Sequence, residues 1–341
     1  MNKNKLILIV LTAAITIKIA LFAIAVICAP ESKFENDSRD YLQTAETLYS
    51  RGAFAQQNND GTLRYEMLRT PGYPVFLGAL HNLLKIPLHG VILVQVFLTL
   101  LIALFVYYTA ARIDIKIAFL SAVIILFDLP SSVFSLMIMT ETLFTFFMAL
   151  FMLSFILYLK EGAFKWVMAS AITLVISTYI RPISYYIGIM IAVFILYANC
   201  PKNFKKAFIH ALLFLVVVYG LIALWQIRNY LCCACSSFSS IAGANFKQYT
   251  LIGTYSASTD AHSAGFPPIL YYIDVTLRCS MSFMTRPGNL KYFGIEPLTI
   301  FAKVLAYPWM AFWVVGFIAG MFKIGRNIYY QFLFLIILYF V

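Results

Sequence analysis

The chain has 341 residues, of which 62% are hydrophobic and 11% charged, with a mean hydropathy of +0.86. Charged residues make up about a quarter of an ordinary soluble domain, so this composition excludes a soluble globular fold and predicts an all-α, polytopic integral membrane bundle. The formal net charge of +11 is accounted for by Lys and Arg holding loops on one side of a bilayer; nucleic acid is not needed as a partner.

Apolar runs of about twenty residues cross a bilayer core at a rise of about 1.5 Å per residue. Such runs predict about nine spans, at 6–29, 89–111, 116–135, 137–159, 165–180, 183–199, 206–226, 297–321 and 326–341. The first follows MNKNK and is too long for a signal-peptide core. Cys28 leads into a poor cleavage site, so the run reads as an uncleaved span with a cytoplasmic N-terminus. Threading the spans alternately puts eleven basic residues into the short inner segments: Lys3, Lys5, Arg112, Lys116, Lys160, Lys165, Lys202, Lys205, Lys206, Lys323 and Arg326. Only Arg181 falls in a short outer turn, an asymmetry that agrees with the positive-inside rule.

The chain thus reads as a single transmembrane domain, 1–341, with two long outer segments at 30–88 and 227–296. The first holds Glu31, Glu35, Asp37, Asp40, Glu46, Asp60 and Glu66, half of the fourteen acids in the chain. A surface helix is expected over 38–51, with Leu42, Ala45, Leu48 and Tyr49 on one face and Gly52 as its stop. Residues 56–62 form a turn-rich tip. Pro71 suits the first turn of a new helix, and the apolar stretch 75–84 is too short to span, so it lies at the interface or tilts into the bundle. The second outer segment has no strong period and reads as a lid or a small helical subdomain.

Asp37 is the sharpest candidate for chemistry. A carboxylate at the start of a membrane-surface helix can take a proton from a hydroxyl held at hydrogen-bond distance; the bland alternative is that Asp37 or Ser38 caps the helix, with Asp40 favoured by its dipole. Asp128 and Glu141 lie at span ends, where acids either line a site or are solvated. Arg69, Arg181 and Arg228 all fall on the outer side, where guanidinium groups either bind a phosphate bidentately or snorkel to headgroups. No P-loop, GxGxxG, HExxH or GxSxG is present. The histidines (His81, His89, His210, His262) are scattered and the cysteines form no zinc pattern, so no metal or cofactor is expected. A disulfide among Cys232, Cys233, Cys235 and Cys279 stays open.

Several stretches carry a family likeness in order. Asp37 and Ser38 are followed by Tyr41 and Ala45, then by Gly52, Ala53 and Phe54, then by RTPGYP from Arg69 to Pro74. Later come Thr140, Glu141, Thr142, Leu143 and Phe144; Tyr179, Ile180, Arg181 and Pro182; and Trp225, Arg228 and Asn229 running on to Gly243, Ala244 and Asn245. Over about residues 1–250 the chain resembles the polyprenyl-phosphate-sugar-dependent glycosyltransferases of the GT-C fold. These are family 39 enzymes, related to protein O-mannosyltransferases and lipid A aminoarabinose transferase. The resemblance implies transfer of a sugar from a polyprenyl-phosphate donor to a hydroxyl on a lipid, glycan or protein, with inversion, at the outer face of a bacterial inner membrane. It implies Asp37 as base, Arg69, Arg181 and Arg228 stabilising the leaving phosphate, and Glu141 shaping the pocket; Asp40, Tyr41, Tyr73, Asp128 and Asn229 are read as lining the same substrate site. Gln226 departs from the family pattern, and the end at Val341 inside an apolar run leaves a short member or a truncated chain as alternatives. The rival readings are a transporter or a structural envelope protein. Transport is expected to show midplane charges or broken helices in both halves, and these are not evident in the sequence.

Overall fold

A computed structural model describes residues 3–199, 203–241 and 327–340. The chain divides into two compact units, one ending at Phe238 and one beginning at Ser239. In the second, the main described element is helix α11 (Ile328–Phe340); the expected span 297–321 and most of the second outer segment lie outside the described residues.

The first unit is a helical bundle. Among the described residues four helices are long and apolar enough to cross a membrane: α1 (Lys3–Cys28), α4 (Leu88–Ile113), α7 (Glu141–Glu161) and α10 (Phe204–Cys233). Their apolar residues run all round, and outward-facing Leu8, Phe97, Leu104 and Leu224 stay exposed in the bundle. That pattern needs an apolar solvent, so this is a membrane protein. Shorter apolar helices complete the set: α5 (Ile115–Leu126), α8 (Phe164–Ile180) and α9 (Ile187–Asn199). Helix α7 packs between α4 and α8, and α10 lies along α8 and α9.

The stretch expected to form one span at 116–135 is broken. Helix α5 has 12 residues, about 18 Å of rise against a hydrocarbon core of about 30 Å. The chain then turns at Phe127 and restarts as α6 (Leu129–Phe134), with Asp128 as its N-cap accepting from Ser131 N at 2.9 Å. Pro130 lies in the first turn of α6, where its missing N–H does no harm; inside a continuous helix it would leave a carbonyl unpaired.

Between α1 and α4 the acidic segment folds onto one end of the bundle. It contains α2 (Asn36–Arg51), a two-stranded antiparallel hairpin of β1 (Ala55–Gln57) and β2 (Leu63–Tyr65), and α3 (Gly72–Leu77) continued by a π-helical turn, Gly78–Leu83. Helix α2 stops at Gly52, whose φ of 65° is the left-handed cap expected of glycine. Of the turn-rich tip expected at 56–62, Gln56 and Gln57 belong to β1 and 58–62 form the bend of the hairpin, the only strand pairing among the described residues. The stretch 75–84 does not span: Leu77 is buried, while Leu83 and Leu84 stay exposed beyond it.

Candidate functional site

The site is built where α2 meets the start of α7 and the end of α8. Ser38, fully buried, donates its hydroxyl to Ile138 O and accepts from Glu35 N, each at 2.9 Å; Ile138 N donates to Lys33 O at 2.9 Å. These bonds fasten the first turn of α2 to the segment that leads into Glu141. The N-cap of α2 is Glu35, not Asp37 or Ser38, so the bland reading of Asp37 as a cap does not hold and its carboxylate is free to pair elsewhere.

That partner is Arg69. Glu66 shapes the loop by accepting Leu68 N at 2.6 Å and Arg69 N at 3.1 Å, and Thr70 Oγ1 donates to Ile180 O at 3.0 Å. Gly72 lies against α8 so closely that a Cβ there would sit 2.7 Å from the carbonyl of Tyr179. The RTPGYP loop is thereby pressed onto the end of α8. Arg69 then reaches Asp37 with two bonds, Nη1 to Oδ2 at 2.9 Å and Nη2 to Oδ1 at 2.6 Å, and Asp40 Oδ2 with a third at 3.3 Å. The guanidinium is buried, whereas 39% of each aspartate side chain is exposed. Burial works against the Arg69 charge, but the hydrogen bond to Asp37 and the neighbouring charges outweigh it, and its pKa is raised.

Below Arg69 lies the ring of Tyr41, 5.3 Å from the guanidinium carbon, in edge contact with Tyr73 at 5.1 Å. The Tyr73 hydroxyl donates to Gln95 Oε1 at 2.8 Å, and Gln95 Nε2 donates to Met137 O at 2.6 Å and Ser135 O at 3.2 Å. Burial raises the pKa of both phenols, for Tyr41 against the pull of Arg69 and for Tyr73 well above the usual range. Both therefore stay protonated as a rigid, uncharged floor.

A second ion pair completes the patch: Arg181 Nη1 donates to Glu141 Oε1 at 2.7 Å. Arg181 follows the last residue of α8, and Glu141 opens α7. Tyr41 and Tyr73 share one core cluster with Leu143 of α7 and Ile180 of α8, close in sequence to Glu141 and Arg181, so the two pairs flank one floor. Three carboxylates face two guanidiniums, an excess of acid that suits proton abstraction.

Of the residues singled out from sequence, Asp37, Asp40, Tyr41, Arg69, Tyr73, Glu141 and Arg181 come together here. The other three have structural partners. Asp128 caps α6. Arg228 donates to Phe54 O at 2.6 Å and Glu66 O at 2.8 Å and stacks on Trp225, Phe54 and Tyr65, anchoring the hairpin to α10. Asn229 donates to Ser237 O at 3.0 Å and Phe238 O at 3.1 Å, closing the turn after α10.

Sequence reasoning missed Gln95, Glu66 and Lys18. Lys18, in mid-span of α1, is buried and donates to Ser132 Oγ at 2.9 Å, near Asp128. A lysine in the middle of an apolar run was the signal; with the break at Asp128 it gives the described bundle one midplane charge and one broken helix. Among the described residues no group of three His, Cys, Asp or Glu side chains converges as a metal centre, and Cys28, Cys232, Cys233 and Cys235 are unbridged; Cys279 lies outside the described residues.

Between α4, α6 and α7 lies a cavity of about 250 Å³, whose lining includes Thr99, Ser131, Phe134, Glu141 and Thr142. Glu141 thus borders both the ion-paired patch and this cavity. Compared with models of protein families, with curated proteins and with solved structures, the chain matches none.

Proposed function

We propose that this chain is a membrane glycosyltransferase that moves a sugar from a polyprenyl-phosphate donor to a hydroxyl acceptor at the bilayer surface. The observation that carries the reading is the pairing of Arg69 with Asp37 and Asp40 beside Arg181 with Glu141, over the buried Tyr41–Tyr73 floor. Two planar guanidiniums at a membrane surface suit a lipid-linked phosphate, and exposed carboxylates next to them suit deprotonation of a hydroxyl.

In the proposed step the acceptor oxygen attacks the anomeric carbon while the bond from that carbon to the phosphate oxygen breaks. The hydroxyl proton passes to Asp37, whose oxygens keep a second lone pair each when Arg69 takes the first. The electron pair leaves with polyprenyl phosphate, and Arg69 and Arg181 stabilise the charge that develops there. Attack from the face opposite the leaving phosphate gives inversion. The opposite end of the bundle carries Lys5, Arg112, Lys116, Lys160, Lys165, Lys205 and Lys206, which favours a cytoplasmic position for that end and an outer position for the site. The compartment that fits is a bacterial inner membrane.

The test offers polyprenyl-phosphate sugars and a crude envelope extract to the full chain in nanodiscs, and measures free polyprenyl phosphate. Release by wild type, lowered at least about a hundredfold in Arg181→Gln, supports the reading; no release from any donor overturns it. One observation favours a second reading, transport: Lys18 and Asp128 place charge inside the bundle near a broken helix. Uptake of a lipid-linked sugar into sealed vesicles without phosphate release is the result that reading requires.

A further inference from the structure

Glu141 opens α7 and Arg181 follows α8, so the other ends of these two helices lie across the bundle from the ion-paired patch. There α7 stops at Glu161, Gly162 reverses the chain with a left-handed φ of 63°, and α8 starts at Phe164. The buried His210 ties α10 to both. Its Nδ1 shares a hydrogen bond of 3.2 Å with the Tyr158 hydroxyl of α7, and its ring centre lies 5.8 Å from that of Phe164. Asn203 opens α10 by accepting Lys206 N at 3.1 Å. Three helix ends are thereby fixed along one seam.

Positive charge gathers on this seam. Lys160 stands in the last turn of α7, Lys165 in the first turn of α8 and Lys206 in the first turn of α10, all exposed. Lys206 Nζ reaches over the turn between α7 and α8, 3.8 Å from where a Cβ at Gly162 would lie, and Lys165 Nζ lies 5.0 Å from the ring centre of Trp166. None of the three lysines forms an ion pair among the described residues. Glu161, the acid of this turn, accepts Trp166 Nε1 at 2.6 Å. The positive-inside rule asks only that lysines lie on one side of the bilayer. It does not ask three helices to bring them to one seam, where they repel one another unless an anion joins them. The turn between α4 and α5 shows the other arrangement: Arg112 and Lys116 flank Asp114, whose carboxylate caps α5 by accepting Lys116 N at 2.9 Å.

Beside the cations the surface turns apolar. Phe204 and Phe208 are exposed on α10 with ring centres 6.2 Å apart, Phe208 one turn deeper into the helix, and Phe164 is exposed at the start of α8. Cations at the rim, an indole among them and open phenyl rings below suit an amphiphile with an anionic head and hydrocarbon tails.

We propose that this seam is a binding site for an anionic phospholipid, with its phosphate between Lys165 and Lys206, Lys160 beside them, and its acyl chains along Phe204 and Phe208. The site lies at the far ends of α7 and α8 from Glu141 and Arg181, so it stands or falls independently of the transferase reading. A phosphatidylcholine head would bring its own cation among the lysines and bind more weakly. Each lysine near an anionic headgroup contributes a factor of about five in affinity.

The test titrates the full chain in maltoside micelles with dioleoyl phosphatidylglycerol or dioleoyl phosphatidylcholine and follows retained lipid by native mass spectrometry. Saturable retention of phosphatidylglycerol is expected, at least about fivefold tighter than phosphatidylcholine. Lys165→Gln with Lys206→Gln weakens it by about twenty-five-fold, and Lys165→Arg with Lys206→Arg keeps it. Arg112→Gln with Lys116→Gln removes the same charge from the turn between α4 and α5 and leaves retention unchanged. Circular dichroism and the thermal midpoint in the lipid-free micelle check that each variant is folded. Equal retention of the two lipids, undiminished binding in the Lys165→Gln, Lys206→Gln variant, or an equal loss in the Arg112→Gln, Lys116→Gln variant overturns the proposal. Displacement of phosphatidylglycerol by an equal concentration of glycerol phosphate overturns the lipid as occupant, because the phenyl rings then contribute nothing.

Discussion

Gly72→Ala isolates the contact that brings the RTPGYP loop to the end of α8. A Cβ built at Gly72 lies 2.7 Å from both the carbonyl carbon and oxygen of Tyr179 and 2.8 Å from Ile180 Cγ1. The first two are backbone atoms next to the carbonyl of Ile180, which Thr70 already holds at 3.0 Å, so they cannot swing aside as a side-chain tip does. Overpacking of this kind costs about 1–3 kcal/mol. Separation of the loop from α8 also breaks the Thr70 bond, for about 0.5–1.5 kcal/mol, and together these give about 1.5–4.5 kcal/mol. Gly52→Ala is the internal control: its φ of 65° is left-handed and its Cβ would meet nothing within 4 Å, so its penalty is the conformational one, about 1–2 kcal/mol. Unfolding in mixed micelles titrated with dodecyl sulfate, followed by tryptophan fluorescence, measures both. Because Arg69 stands on the displaced loop, Gly72→Ala also loses donor turnover while Gly52→Ala keeps it. Gly72→Ala within about 0.5 kcal/mol of wild type, below the overpacking range, or less destabilised than Gly52→Ala, refutes the reasoning.

Four further outcomes follow from named contacts. Arg69→Lys keeps a charge but loses the two-pronged bond to Asp37 and the stacking on Tyr41; release of polyprenyl phosphate falls at least about tenfold, and wild-type turnover in that variant speaks against the site. Lys18→Met removes the buried ammonium that donates to Ser132 Oγ and lowers stability by about 1.5–3 kcal/mol, the range for a hydrogen bond from a charged group, and in a double-mutant cycle Ser132→Ala recovers part of it; strict additivity shows the two groups to be uncoupled. Arg228→Lys releases the hairpin from α10, so proteolysis between Phe54 and Tyr65 accelerates; an unchanged cleavage rate contradicts its anchoring role. Burial holds the Tyr73 phenol above its ordinary pKa of 10.0, so the folded chain keeps a proton that the unfolded chain loses. Its contribution is complete below about pH 10 and declines as the pH rises further; Tyr73→Phe flattens that decline in unfolding midpoints, and an unaltered slope rules the assignment out.

The local grammar of the first loop was legible. Gly52 ends α2 where a left-handed cap was expected, and Pro71 stands at the entry to α3 as a proline can. The candidate list was legible in part, because acids and arginines at the ends of apolar runs are few. Their pairing was not. Asp37 and Arg69 are 32 residues apart, and their meeting depends on Ser38 docking on Ile138, Glu66 bending the loop and Gly72 touching α8. None of these leaves a periodic trace. The anchoring contacts of Arg228 were illegible for a related reason: a guanidinium bound to two carbonyls and three rings looks, in sequence, the same as one that faces a phosphate. The break at Asp128 was visible as Asp-Leu-Pro, yet the apolar residues on either side outweighed it when hydropathy was averaged along the run.

The most direct test of the central claim compares wild type, Asp37→Asn and Asp40→Asn in nanodiscs, with polyprenyl-phosphate sugars as donors and envelope extract as acceptor. Both aspartates touch Arg69, but only Asp37 holds it through both oxygens. The account predicts that release of polyprenyl phosphate is abolished in Asp37→Asn and retained in Asp40→Asn. Full release from Asp37→Asn, or none from wild type with any donor, contradicts it.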